Sequence, residues 1–347
     1  MLVRLQTRRA RGVFVASLVL IAAVIGALLS ACGDDNPDTL SMRYMGGFIP
    51  QANLPFVAVY VADDRGYFAD EGLEVDIAHA GFGGEHKNLL VSGEIDITTL
   101  PASEFLQIRS NSGAPYVAVM LFGQVGDFGY AVLKSSGIES PADFRGKTVG
   151  TKGIVQAEFH AMLAAHGMTV DDVNIVPTGF NPVVLAEGEV DVYPVFLSNE
   201  PDTLTRVLGE EITVFEAADY KVPTLGVVYL VTEEFLADET NREKLERFLR
   251  ATVRAFEFAQ EDPAAAIEST LTFITERDPD LEHERFILDT ELGNAVSDLT
   301  DANGVGWFTR AQFQALTDVL LEYEALEQPV DLDVALDRSF LEDIHDR

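Results

Sequence analysis

Residues 81–96, GFGGEHKNLLVSGEID, and residues 179–191, GFNPVVLAEGEVD, share one grammar: Gly-Phe, a short helical run, then Gly-Glu-aliphatic-Asp leading into a β-like run. Taken alone, the second phrase is a helix C-cap feeding a strand. Its return in the same order and at similar spacing points to two α/β units built on one plan.

The flanking sequence extends each unit. Around the first, Met42–Phe48, Glu74–His79, Ile95–Leu100, Tyr116–Phe122 and Tyr130–Lys134 read as strands, and Val57–Tyr67, Gly84–Ser92 and Ser103–Ser110 as helices. That βαβα order predicts a largely parallel sheet with helices on both faces. Around the second, Lys147–Thr151, Val173–Thr178, Asp191–Phe196 and Thr213–Phe215 read as strands. Two apolar runs, near Gly129–Leu133 and Gly226–Val231, fall where the chain would pass between units. The remainder is helical: Asn241–Gln260 sets Leu245, Phe248, Leu249, Val253, Phe256 and Ala259 on one face, and Pro263–Thr275, Leu281–Asn294 and Thr309–Leu326 follow. Two lobes joined by two crossings enclose a cleft. Ligands of open α/β sheets sit beyond the carboxyl ends of the strands, so the cleft is the expected site.

The amino terminus carries Arg4, Arg8, Arg9 and Arg11, no acid, and an apolar run from Val13 to Leu29 that stops at Ser30-Ala31-Cys32. These are the parts of a secretory signal. The apolar run is borderline for a spanning helix, and the small residues before a lone cysteine argue for cleavage. Leu29-Ser30-Ala31-Cys32 resembles the lipobox of bacterial lipoproteins, which implies a lipid anchor on Cys32; the alternative is an uncleaved anchor helix. The chain therefore divides into a signal (1–31), a linker (32–40), a first lobe (41–127 and 226–347) and a second lobe (128–225).

Cys32 is the sole cysteine, which excludes a disulfide, a spare thiolate nucleophile and a cysteine metal cluster in the mature protein. Loss of the four leader arginines leaves 20 basic against 57 acidic side chains, a formal charge of −37. Such a surface repels nucleic acid and anionic lipid headgroups.

The segment Phe48-Ile49-Pro50-Gln51-Ala52-Asn53, the helix bearing Phe56 and Tyr60, then Asp64-Arg65-Gly66-Tyr67-Phe68 and Glu71-Gly72-Leu73-Glu74-Val75 resemble the opening of a family of periplasmic binding proteins, the NMT1-like group. This family gathers nitrate, taurine and alkanesulfonate binders, binders of thiamine-precursor pyrimidines and of riboflavin, and fungal thiamine-pyrimidine synthases. Gly93–Asp96, Pro141–Gly150 and Gly188–Asp191 fit the same pattern, so the resemblance spans roughly Ser41 to Phe258. It implies a two-lobe α/β periplasmic-binding-protein fold of type II (Venus-flytrap), with two hinge crossings and a helical C-terminal tail. It also implies the solute-binding lipoprotein of an ABC importer, on the extracytoplasmic face of the cell membrane, working with a permease and its ATPase and needing no cofactor. The opening and Pro194–Pro201 look most like binders of vitamins or their precursors. Riboflavin stands first, with formylaminopyrimidine or hydroxymethylpyrimidine open and an anion behind them.

A planar heterocycle calls for aromatic walls and a few amides or hydroxyls matched to its edge. The strand ends of the first lobe offer Phe48, Gln51 and Asn53, then Pro101 and Ser103, then Phe122 and Gln124. Those of the second offer Thr151, Gly153 and Gln156, then Tyr193, Asn199 and Glu200, then Tyr220. Polar residues at strand ends are also common turn formers, and Phe48 and Phe122 read equally well as lobe core. No arginine falls among these loops, and Lys152 is their one cation, which argues against nitrate or a sulfonate. The enzyme alternative would use histidine. His79 and His86 flank the Gly-rich turn, at a spacing more usual for surface or cap residues, and no general acid and base pair stands out.

Overall fold

The computed structural model describes residues 39–345, with the exception of Ile154; Cys32 and the leader lie outside the described residues. The first lobe is built on a five-stranded sheet of order β2-β1-β3-β10-β4, from β1 (Leu40–Gly46), β2 (Leu73–His79), β3 (Ile97–Pro101), β4 (Tyr116–Leu121) and β10 (Val227–Thr232). In the second lobe β5 (Phe128–Leu133) lies between β8 (Tyr193–Phe196) and β9 (Ile212–Glu216), and β6 (Thr148–Thr151) pairs with β7 (Asn174–Pro177).

The sheets are less parallel than the βαβ order predicts. β1 runs parallel to β2 and β3, but β10 is antiparallel to both of its neighbours, and β5 to both of its own. The cause is the double crossing. β4 and β9 end at the cleft, so each strand that follows a crossing enters the other lobe from the cleft and must run against the strands that finish there.

The crossings themselves lie just before the apolar runs near Tyr130 and Val228, which are strands within the sheets. Residues 122–127 and 217–226 make the passages, and they touch: Gly226 N donates to Gly123 O at 2.8 Å and Phe122 N to Val227 O at 2.8 Å. A Cβ on Gly226 would stand 2.6 Å from Gly123 Cα. Only a residue without a side chain allows this approach.

The repeat is physical. Gly93 and Gly188 take φ values of 71° and 73°, and the residue after each bonds back to close the helix end, Glu94 N to Leu89 O and Glu189 N to Val184 O, both at 2.9 Å. The aspartates then tie each turn to a neighbouring strand. Asp96 N donates to Arg43 O at 2.9 Å while its carboxylate accepts Arg43 N at 2.7 Å. Asp191 N donates to Thr148 O at 2.9 Å and its carboxylate accepts Thr148 N at 2.8 Å.

The helix Glu239–Glu261 buries all six residues of its apolar stripe, with Asp238 capping it by accepting Asn241 N. Phe248 on that stripe stacks on Tyr44 of β1 and on Phe68, so the tail is part of the first lobe's core. The helices Pro263–Leu271, Leu281–Asn294 and Arg310–Glu322 follow, the first and last ending four residues before the expected Thr275 and Leu326.

Candidate functional site

A cavity of about 350 Å³ lies between the lobes, at the carboxyl ends of β1 and β3. That is within the range of small-molecule pockets. Seven of the residues expected there line it: Phe48, Gln51, Asn53 and Pro101 from the first lobe, and Gly153, Gln156 and Asn199 from the second.

The other seven stand elsewhere. Phe122 is in the first lobe's core, stacked on Phe256 at 5.6 Å and edge-on to Tyr229 at 4.6 Å. Gln124 is buried and engaged with the C-terminal region, donating to Trp307 O and accepting from Ser297 and Gln312. Ser103 is buried against the Glu158 carboxyl of the other lobe. Thr151 closes β6 beside a small adjoining recess. Tyr193 is fully buried, its hydroxyl donating to Gly179 O at 3.0 Å. Glu200 is buried behind Lys152, and Tyr220 turns its ring towards His166, 5.1 Å away. Neighbours along a strand point to opposite faces, so a strand end offers only some of its side chains to the cleft.

The walls are more aromatic than the strand ends suggest. Phe56, Phe82, Phe180 and Phe196 join Phe48 in the lining. Phe48 lies 5.2 Å from Phe82 and 5.1 Å from Phe180, while Phe82 and Phe180 are 5.5 Å apart, one from each lobe. Phe82 and Phe180 hold equivalent places in the repeat, which was the one sequence signal that could have found them.

The charged groups are all held by protein partners. The Lys152 side chain is largely buried, 5% exposed, and ion-paired with Glu200, its ammonium 4.5 Å above the Phe196 ring and 5.5 Å from that of Tyr193. Burial lowers the Lys152 pKa, against the opposing pull of Glu200. Lys87 pairs with Glu104 at 2.9 Å.

Deeper in the cleft a polar chain links both lobes to a crossing. Gln51 Nε2 donates to Asn53 Oδ1 at 2.7 Å, and Asn53 Nδ2 donates to Glu291, which also accepts Leu54 N at 2.6 Å. Ser198 Oγ lies 3.3 Å from Glu291 and donates to Asp127 at 2.5 Å. Burial, with Glu291 close by, pushes the Asp127 carboxyl well above the usual range, and burial raises Glu291 to about 7. Two buried carboxyls so close favour sharing one proton. Asn199 accepts from His283 Nε2, whose Nδ1 faces Asp202. Nothing local to the tail marks Glu291; it reaches Leu54 across 237 residues of chain.

Residues 53–266 match the family described as NMT1/THI5 like. The chain belongs to this family. Among relatives, the riboflavin-binding protein RibY of Chloroflexus aurantiacus is 30% identical over 87% of this chain and 85% of its own. The formylaminopyrimidine-binding protein of Halalkalibacterium halodurans is 27% identical over 90% of this chain and 94% of its own. In three dimensions, the ligand-binding component of an ABC-type import system from Staphylococcus aureus, solved with zinc bound, superposes with a TM-score of 0.65 at 12% identity, covering 88% of this chain and 99% of that one. This NMT1/THI5-like chain has the two-lobe type II periplasmic-binding-protein fold, and its cavity occupies the cleft between the lobes.

Proposed function

We propose that this chain is the extracytoplasmic solute-binding lipoprotein of an ABC importer, anchored through Cys32, delivering a neutral planar heterocycle to a permease and its ATPase. Riboflavin is the first choice and a thiamine-precursor pyrimidine the second. The observation that carries the reading is the lining itself: five phenylalanines, with both lysines neutralised by their own carboxylates and no arginine among the described lining residues. A nitrate or sulfonate would have to displace Glu104 or Glu200 to reach an ammonium, and would meet Asp127 and Glu291 beside it. A flat neutral ring can lie against the aromatic faces and bond the amide groups without breaking either ion pair. The names of the two relatives support binding of such a ring in place of its chemical conversion.

Calorimetric titration against riboflavin, formylaminopyrimidine, taurine and nitrate tests the ligand. Binding of a heterocycle and none of the anions is expected; tight binding of either anion alone overturns the reading. The anchor has its own test: Cys32→Ala should release the protein from membranes or leave it uncleaved, and unchanged processing and retention would refute it.

A further inference from the structure

The two histidines flanking the Gly-rich turn differ sharply. His79 is satisfied, with Nε2 2.6 Å from the Tyr60 hydroxyl and Nδ1 3.0 Å from Phe48 O. His86, the first residue of the helix His86–Val91, is 3% exposed and lines the cavity, yet neither ring nitrogen has a hydrogen-bond partner among the described residues. Folded proteins rarely keep a buried polar side chain unpaired, and those that do keep it for a reason. Each charged side chain lining the same cavity has a protein partner, so His86 is the exception there.

Its surroundings hold it in place. A Cβ on Gly47 would stand 3.2 Å from His86 Nε2 and 2.7 Å from Thr99 O, so the end of β1 passes this close to the ring only because residue 47 has no side chain. Burial, with Lys87 adding to it, brings the His86 pKa down to about 4, and the ring is neutral at physiological pH. A neutral imidazole carries one N–H donor and one lone pair. It can therefore meet a carbonyl or ring nitrogen, or an amine, without favouring an anion by charge.

We propose that His86 is a specificity-determining residue of the cleft, one of its ring nitrogens hydrogen-bonding the polar edge of a neutral nitrogen heterocycle. This rests on the functional reading above and assigns the first lobe's polar contact within it. Replacing the ring by a hydrocarbon leaves the ligand's edge group buried without a partner, which weakens binding by roughly 5- to 150-fold.

Wild type, His86→Leu and His86→Gln would be titrated with riboflavin by fluorescence quenching and with formylaminopyrimidine by calorimetry, alongside thermal melts without ligand. His86→Leu should lose affinity by that factor while melting close to wild type, and His86→Gln, which keeps a donor and an acceptor, should retain more of it. Binding by His86→Leu within twofold of wild type overturns the assignment and leaves the functional reading standing. Binding of neither heterocycle by the wild type overturns the functional reading and this contact together. Should His86→Leu fail to fold, ring ¹⁵N resonances of labelled wild type decide: those of His86 must move on ligand addition, and unmoved resonances at saturation refute the contact.

Discussion

Phe82 and Phe180, equivalent residues of the two halves of an internal repeat, meet across the cleft with ring centroids 5.5 Å apart and planes tilted by 48°. Each follows a glycine of positive φ, Gly81 at 59° and Gly179 at 65°. Replacing Phe180 or Phe82 by alanine should weaken heterocycle binding by about 1 to 3 kcal/mol, or roughly 5- to 150-fold. Stability should hardly change for Phe82, which is 62% exposed. Phe122→Ala should do the reverse, costing about 3 to 5 kcal/mol of stability because its ring is core. Calorimetry and denaturant melts on the three variants check this pattern.

The buried pair Lys152 and Glu200 is a point of fragility. Lys152→Met leaves the Glu200 carboxylate buried without its partner and should destabilise the protein by about 3 to 5 kcal/mol. Adding Glu200→Gln removes the stranded charge while keeping an acceptor for Phe196 N. The double variant should therefore be more stable than Lys152→Met alone, and strict additivity in a double-mutant cycle would show the pair is not coupled.

Glu291 predicts a pH dependence of definite sign. Its carboxyl is held at about 7 in the folded protein against an ordinary value of 4.5, and Asp127 beside it is raised as well. The native state keeps a proton that the unfolded chain has released, so this contribution is whole below about pH 4.5 and is lost as pH rises through about 7. His79 and His86, both held down to about 4 by burial, act in the opposite sense, destabilising the fold as pH falls below about 6.5. Glu291→Gln removes the Glu291 contribution and eases the rise at Asp127, while leaving both histidines in place. The unfolding free energy of the variant minus that of wild type should rise between about pH 5 and pH 7; a flat difference would contradict the shared proton.

Gly226→Ala should disturb the crossings, since its Cβ would meet the Gly123 backbone, which has no flexible atom to move aside. Overpacking of this kind costs about 1 to 3 kcal/mol. Small-angle scattering should show compaction of wild type on ligand binding about these crossings and a larger, less responsive radius of gyration in the variant. An unaltered scattering profile and melt would remove the crossings from the hinge.

What the chain's sequence by itself determined is local and periodic. The apolar stripe of Glu239–Glu261, the glycine-closed helix ends at Gly93 and Gly188, and the strand after each depend on residues within a few positions of one another, so their pattern is legible, and repetition of that pattern reveals two lobes. Tertiary structure decided the rest. β10 runs against β3 because it enters from the cleft, and Ser103, Phe122 and Tyr193 sit away from the cavity because their facing depends on where the sheet and the other lobe lie. Asn53 and Glu291 are 238 residues apart and meet only when the C-terminal tail packs back onto the first lobe. His86 carries no mark in the sequence that separates it from His79. The difference arises because folding places Tyr60 and the Phe48 carbonyl beside one ring and the cavity beside the other.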